Sequence, residues 1–338
     1  MANRTISENI NQAISDFKGI KQAIIDKGVE VPEGTPTSEY GTKIEKIQSG
    51  LDTSGITDFS SFCANNKIPA DSLGGLDTRS GTNFSSMFFS STYETIPQIN
   101  TSKGTNFSYM FQDCSGIETI PQLDTSNGTD FIYMFHGCTN LIEAPKLDTS
   151  NGTSFSNMFY NCTNLTTVPP LDTSNGTSFS FMFWRCKKLT PFPQLDTSNG
   201  TDFSYMLLGC EKLTTNPQLD TSKGTNFSNM FNACTGLITV QNMQSENCTD
   251  FKYMFAGCTN LKSVSLNIAK GTSFSGMFSS CNSLESVTLT GKTSGSLPNL
   301  FSGRTNLKTI RVSWAKGAVS GSPWGAPSTV NIVYNYVE

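Results

Sequence analysis

Charge is scarce in this chain, and histidine is almost missing. Asp, Glu, Lys and Arg make up 15% of the 338 residues, well under the quarter or so usual in soluble domains. With 23 basic against 27 acidic residues, no basic stripe exists to release phosphate counterions, and a nucleic-acid binder is excluded. No apolar run reaches the roughly 18 residues needed to cross a bilayer, so no membrane insertion is expected. The start, Met1-Ala-Asn-Arg-Thr5, leads into polar residues rather than the apolar core of an export signal. If the protein reaches the outside of a cell, something other than the standard export signal puts it there.

Catalytic material is equally thin. His136 is the only histidine, sits beside Phe135, and has no Ser or Cys nucleophile assignable to it; it reads as a surface residue. Glycosidase chemistry needs two carboxylates converging across a cleft, and nothing singles out a pair. No enzymatic activity, cofactor or metal is expected.

What the chain does have is a period. A phenylalanine recurs at Phe59, Phe84, Phe107, Phe131, Phe155, Phe179, Phe203, Phe227, Phe251 and Phe274, with Leu297 in the eleventh place. A fixed spacing of 23–25 residues is the signature of a solenoid whose units cannot bury their apolar faces alone. Within a unit, Phe155, Met158, Phe159 and Cys162 fall at offsets 0, 3, 4 and 7, one side of a 3.6-residue helix, and Asn151-Gly152-Thr153-Ser154 supplies a turn and an N-cap. Leu165-Thr-Thr-Val168 then reads as a strand. The expected fold class is α/β, a solenoid of about eleven units of 23–25 residues with one short helix and one short strand each.

Pro97, Pro121, Pro145, Pro169, Pro193 and Pro217 follow the second inward strand residue in the middle units and should narrow the sheet, because proline cannot donate to a ladder. The last units, such as Leu284-Glu-Ser-Val287-Thr-Leu289, lack it and should carry longer strands. Eleven rungs would make a sheet about 50 Å long. Residues 59–312 are read as the solenoid. Residues 313–338, with Trp314, Trp324, Val330, Ile332, Val333 and Tyr334, are read as a C-terminal cap.

Residues 1–58 differ. Ile6, Ile10, Phe17, Ile20 and Ile24 recur at helical spacing and predict an N-terminal amphipathic helix over about residues 5–27. Its stripe serves oligomerisation, docking onto another protein, or capping of the solenoid at Phe59 and Phe62.

Two columns are read from the period. Eight cysteines (Cys114, Cys138, Cys162, Cys186, Cys210, Cys234, Cys258 and Cys281) share one offset and match no zinc-ligand spacing, so they read as small buried thiols. The Asp-Thr-Ser aspartates, Asp77, Asp124, Asp148, Asp172, Asp196 and Asp220, read as caps for their own turns. The candidate binding residues are an aromatic row two places after the opening phenylalanine: Tyr109, Tyr133, Phe181, Tyr205 and Tyr253, interrupted by Asn157 and Asn229. A row of exposed aromatics either stacks on sugar rings or a protein partner, or covers gaps between units.

Units such as Phe155-Ser-Asn-Met158-Phe159-Tyr-Asn-Cys162-Thr-Asn-Leu165 resemble the BspA-like leucine-rich repeats of bacterial surface proteins. The resemblance implies a leucine-rich-repeat-type solenoid and, in many members, adhesion. Ile20-Lys-Gln-Ala-Ile24-Ile-Asp-Lys-Gly28-Val-Glu-Val-Pro32 and Gly321-Ser-Pro-Trp324-Gly325-Ala326-Pro327 resemble segments of tail and other virion proteins from phages of Gram-positive bacteria. Together these imply a virion structural protein of tail or fibre type, located in the virion. It would contact a host surface glycan or protein through the solenoid, and other virion proteins or its own copies through the N-terminal helix. A decoration or spacer protein of the particle and a bacterial surface adhesin are the alternatives.

Overall fold

The computed structural model describes residues 53–68, 70–292 and 294–337. The expected N-terminal helix, with Ile6, Ile10, Phe17, Ile20 and Ile24, lies outside the described residues.

The Phe-x-x-Met-Phe-x-x-Cys segment is not a helix. In the coil that opens at Phe107, the amides of Phe107, Tyr109, Phe111 and Asp113 donate to the carbonyls of Asp130, Ile132, Met134 and His136 in the next coil, over 2.6–2.9 Å. The amides between them bond locally three residues back, Met110 to Phe107, Gln112 to Tyr109 and Cys114 to Phe111. An α-helix would spend every amide on its own turn, four residues back, and leave none for a neighbour. The alternation bends the chain into the left-handed region at offsets two and six: Tyr109 has φ +59° and Asp113 +57°, Phe181 +58° and Arg185 +59°.

The expected α/β class is therefore corrected. Among the described residues the helical pieces are two 3-10 segments, Ala64–Asn66 and Ala70–Gly75, and the regular elements are parallel strands. The helix expectation failed for a definable reason. A ribbon that bends every four residues also sends offsets 0, 3, 4 and 7 inward, so apolar spacing does not distinguish the two.

Each left-handed non-glycine residue costs about 1–2 kcal/mol, so two per coil cost about 2–4 kcal/mol. Four inter-coil backbone hydrogen bonds at about 1 kcal/mol net each offset that. Burial of the phenylalanines and methionine, about 1.5–3 kcal/mol each, makes the balance favourable.

Five strands form one parallel sheet in sequence order: β1 (Thr239–Met243), β2 (Ser263–Asn267), β3 (Ser286–Thr290), β4 (Thr309–Val312) and β5 (Asn331–Val333). Val264 pairs with Val287 and Leu266 with Leu289, and Val287 then pairs with Ile310 and Leu289 with Val312, so identical inward positions stack. The sheet begins where the prolines stop. In the proline-bearing coils the strand line is reduced to single bridges, Glu143 to Thr167 and Thr215 to Thr239. The expected eleven-rung sheet is thus five strands long.

Two phenylalanine ladders fill the core. One runs through the opening residues from Phe59 to Phe203 with nearly parallel rings 5.6–6.2 Å apart. The second runs from Phe88 through Phe111, Phe135 and Phe159 to Phe183 at 5.3–5.6 Å. Beside them a threonine column bridges the coils: buried Thr149 donates Oγ1 to the Asp172 carbonyl at 2.6 Å, and Thr173 to the Asp196 carbonyl at 2.7 Å. In most coils a glycine three residues before the opening phenylalanine makes room for the ring; Cys248 takes that place before Phe251. A methyl group on Gly176 would sit 2.7 Å from Phe179 Cζ and 2.9 Å from Phe155 Cε2. Gly176→Ala is therefore expected to destabilise the protein by about 1–3 kcal/mol, read from the urea midpoint. An unchanged midpoint would show that the ladder does not set the packing at this position.

Candidate binding face

The left-handed bend at offset two decides where the aromatic row goes. Tyr109, Tyr133, Phe181, Tyr205 and Tyr253 all have φ between +51° and +59°. The same offset holds Ser61, Ser86, Asn157, Asn229 and Gly276, also at positive φ. Asn and Gly are the residues that enter this region most readily, whereas a bulky ring there is an outlier. The asparagines that the sequence reading took as interruptions are thus the locally favoured choice, and the aromatics are the departure.

The structure joins four of the five to a second set. Offset five contributes His136, Tyr160 and Trp184, which the sequence reading did not group. Tyr109 stacks on Tyr133 with centroids 4.8 Å apart, and Tyr133 meets His136 at 5.2 Å. His136 stacks on Tyr160 at 4.2 Å and 3°, and Tyr160 meets Trp184 edge-on at 4.5 Å. Phe181 stacks on Tyr205 at 4.4 Å and contacts Trp184 at 5.3 Å. Seven rings on five consecutive coils form one continuous patch. Tyr253 stands apart, two coils beyond Tyr205 with Asn229 between them, and its ring fills the space above Gly276. The signal for the second set was available in the sequence: His136, Tyr160 and Trp184 lie 24 residues apart.

The patch is half-buried rather than flat on the surface; Tyr109, at its end, is 37% exposed. Burial lowers the His136 pKa, with Asp113 acting weakly the other way, so the imidazole is neutral at physiological pH. Burial also raises the Tyr133 phenol. Three buried side-chain polar atoms without a hydrogen-bond partner occur among the described residues, and two of them, His136 Nδ1 and Trp184 Nε1, belong to this patch. An optimised packing layer would pair such atoms.

Alongside the centre of the patch lies a cluster of hydroxyls. In most coils an Asp or Asn before the opening phenylalanine accepts the amide of the residue after it, as Asn106 does from Ser108 at 3.0 Å. In the two central coils both places are serine. Ser154, Ser156, Ser178 and Ser180 bond to one another at 2.8–3.2 Å, and Ser156 and Ser180 directly precede the offset-two residues Asn157 and Phe181.

The other columns are structural. Asp124 Oδ1 accepts the Ser126 amide at 3.1 Å and its hydroxyl at 2.7 Å, and Asp148 does the same with Ser150. These hydroxyls hold both carboxylates below the usual Asp range and commit them to their turns. No group of three or more His, Cys, Asp or Glu side chains able to hold a metal ion occurs among the described residues. The eight column cysteines are buried and unbridged, and each thiol donates to a carbonyl of the preceding coil, Cys162 to Phe135 at 3.0 Å and Cys186 to Phe159 at 3.1 Å. Burial pushes the Cys114 and Cys234 thiols up to about 12, which makes them inert at neutral pH.

Comparison with known proteins gives two family matches. The model described as "Mycoplasma protein of unknown function, DUF285" matches residues 38–144 and 105–219, together more than half of the chain. The model described as "BspA type Leucine rich repeat region (6 copies)" matches residues 227–316. Both are repeat-region matches, and neither is to a virion protein family. No curated protein matches.

Solved structures similar to the chain include a leucine rich cell surface protein from Faecalibacterium prausnitzii, 19% identical over 72% of this chain and 78% of that one, with a TM-score of 0.33. A leucine-rich repeat protein from Bacteroides ovatus is 15% identical over 78% and 86%, with a TM-score of 0.40. An internalin from Listeria monocytogenes is 13% identical over 72% and 80%, with a TM-score of 0.25.

Proposed function

The chain belongs to the family described as Mycoplasma protein of unknown function, DUF285, its C-terminal coils are BspA-type leucine-rich repeats, and we propose that it is a non-catalytic binding protein of a surface, an adhesin in the broad sense. One observation carries the reading: bulky rings occupy left-handed positions that Asn, Ser and Gly fill elsewhere in the same solenoid, and they do so on neighbouring coils that build a single patch. Residues that raise the local backbone energy and leave two buried polar atoms unpaired are not explained by packing alone. A rigid solenoid presenting one continuous line of aromatics suits an extended partner, and binding on such faces is common among repeat proteins.

The test uses the protein's own alternatives. Tyr133→Asn with Tyr205→Asn copies the residues at the equivalent positions of the Asn157 and Asn229 coils and so keeps the backbone. Labelled full-length protein is expected to bind intact cells or isolated envelopes from a bacterial and animal panel. The double variant should bind at least about tenfold more weakly while melting no earlier. Equal binding by both proteins, or no binding by either, would contradict the proposal.

A second reading narrows the location. As a finer reading we propose a tail or fibre-type component of a phage particle rather than a cell-anchored adhesin, on the sequence resemblance of residues 20–32 and 321–327 to virion-protein segments alone; the family matches lend it no support. Mass spectrometry of purified particles from lysates of a strain carrying the gene decides it. Stoichiometric recovery in the particle supports the virion reading, and recovery only with cell envelopes refutes it.

A further inference from the structure

We propose that the ligand of the aromatic patch is a linear, neutral polysaccharide lying along the solenoid axis, with about one sugar residue per coil. This rests on the reading of the patch as a binding face and specifies its occupant.

The shape is the first argument. The patch is two columns wide and five coils long, from Tyr109 to Tyr205, and four steps of about 4.8 Å give a strip of about 19 Å. A globular partner uses a broad face, whereas a strip this narrow fits a chain. The coil rise is also close to the length of one pyranose residue in an extended polymer, so successive sugars meet equivalent positions on successive coils.

Chemistry is the second argument. Aromatic faces pack against the apolar faces of sugars, and hydroxyls answer sugar hydroxyls. Trp184 has no parallel neighbour, standing 70° from Tyr160 and 35–37° from Phe181 and Tyr205. Tyr109 has Ser86 rather than a ring at the same offset in the preceding coil. Neither ring is sandwiched between two parallel rings, and these are the two we assign to sugar contact. The Ser154, Ser156, Ser178 and Ser180 cluster, on the two coils that carry Tyr160 and Trp184, supplies donors and acceptors without charge.

Charge supplies the third. The seven patch residues carry no ionised group at neutral pH, His136 included; Asp113 acts on His136 and Arg185 adjoins Trp184 in sequence, so no line of cations follows the strip. Single-stranded nucleic acids also stack on aromatic side chains but require a positive groove to follow their backbone, and polyanionic glycans need the same.

The experiment is calorimetric titration of the full-length protein with neutral linear oligosaccharides of one to six residues (glucan, mannan and chitin series), with heparin as the anionic probe. For one neutral series, affinity should rise with length and level off at four or five residues. Trp184→Leu, which copies Leu208 at the same offset, should lower it about tenfold. Tyr253→Asn, outside the patch, should leave it unchanged. Length-independent binding, preference for heparin, or insensitivity to Trp184→Leu would overturn the inference. If no oligosaccharide binds while envelope binding still depends on Tyr133 and Tyr205, the inference fails and the binding reading stands. If envelope binding is absent as well, both fail.

Discussion

Every second backbone amide of the Phe-x-x-Met-Phe-x-x-Cys segment donates to the next coil, and the rest of the structure depends on that alternation. It forces a left-handed residue at offsets two and six, as at Tyr133 and Gly137 or Phe181 and Arg185. It turns Phe131, Met134, Phe135 and Cys138 inward together, so that rings stack on rings and thiols reach carbonyls of the preceding coil. Coils held this way need no helix and, in the middle of the chain, almost no strand. The proline-bearing units give up their sheet ladder and are held by the amide line, the threonine column and the phenylalanine ladders instead.

The same constraint leaves few positions free for function. Inward places are fixed by the core, the Asp-Thr-Ser places by their turns, and the glycine before most opening phenylalanines by ring clearance. Offsets two and five are the outward places where chemistry varies from coil to coil. Aromatics concentrate there between Tyr109 and Tyr205; beyond that stretch Tyr253 stands alone among Asn229, Asn232 and Gly276. Function in this molecule is written as a choice of side chains on a fixed lattice, which is why the proposed ligand is periodic and uncharged.

Much of this was legible beforehand. The period, the inward columns, the buried cysteines, the self-capping aspartates and the loss of strand at Pro97 to Pro217 all follow from residue spacing. The helix did not, because offsets 0, 3, 4 and 7 serve a four-residue bend as well as a 3.6-residue turn. The discriminating signal was the set of Gly and Asn residues inside the supposed helix, such as Gly137, Asn157, Gly209 and Gly257. A helix interior disfavours them, and a left-handed bend favours them. His136 was read alone as a surface residue, and its membership of a column with Tyr160 and Trp184 emerged only from the stacking.

Ala233 offers the sharpest test of the alternation. It occupies offset six with φ +55°, where the coils on either side have Gly209 and Gly257. In a helix interior, Ala233→Gly would lower stability by about 1 kcal/mol. At a left-handed position the same change relieves strain, and a gain of about 1 kcal/mol is expected. Urea unfolding of the two proteins gives the sign directly. A higher midpoint for Ala233→Gly is the result predicted here, and a lower one would mean that the repeat segment is helical and that the alternating amide line does not hold the coils together.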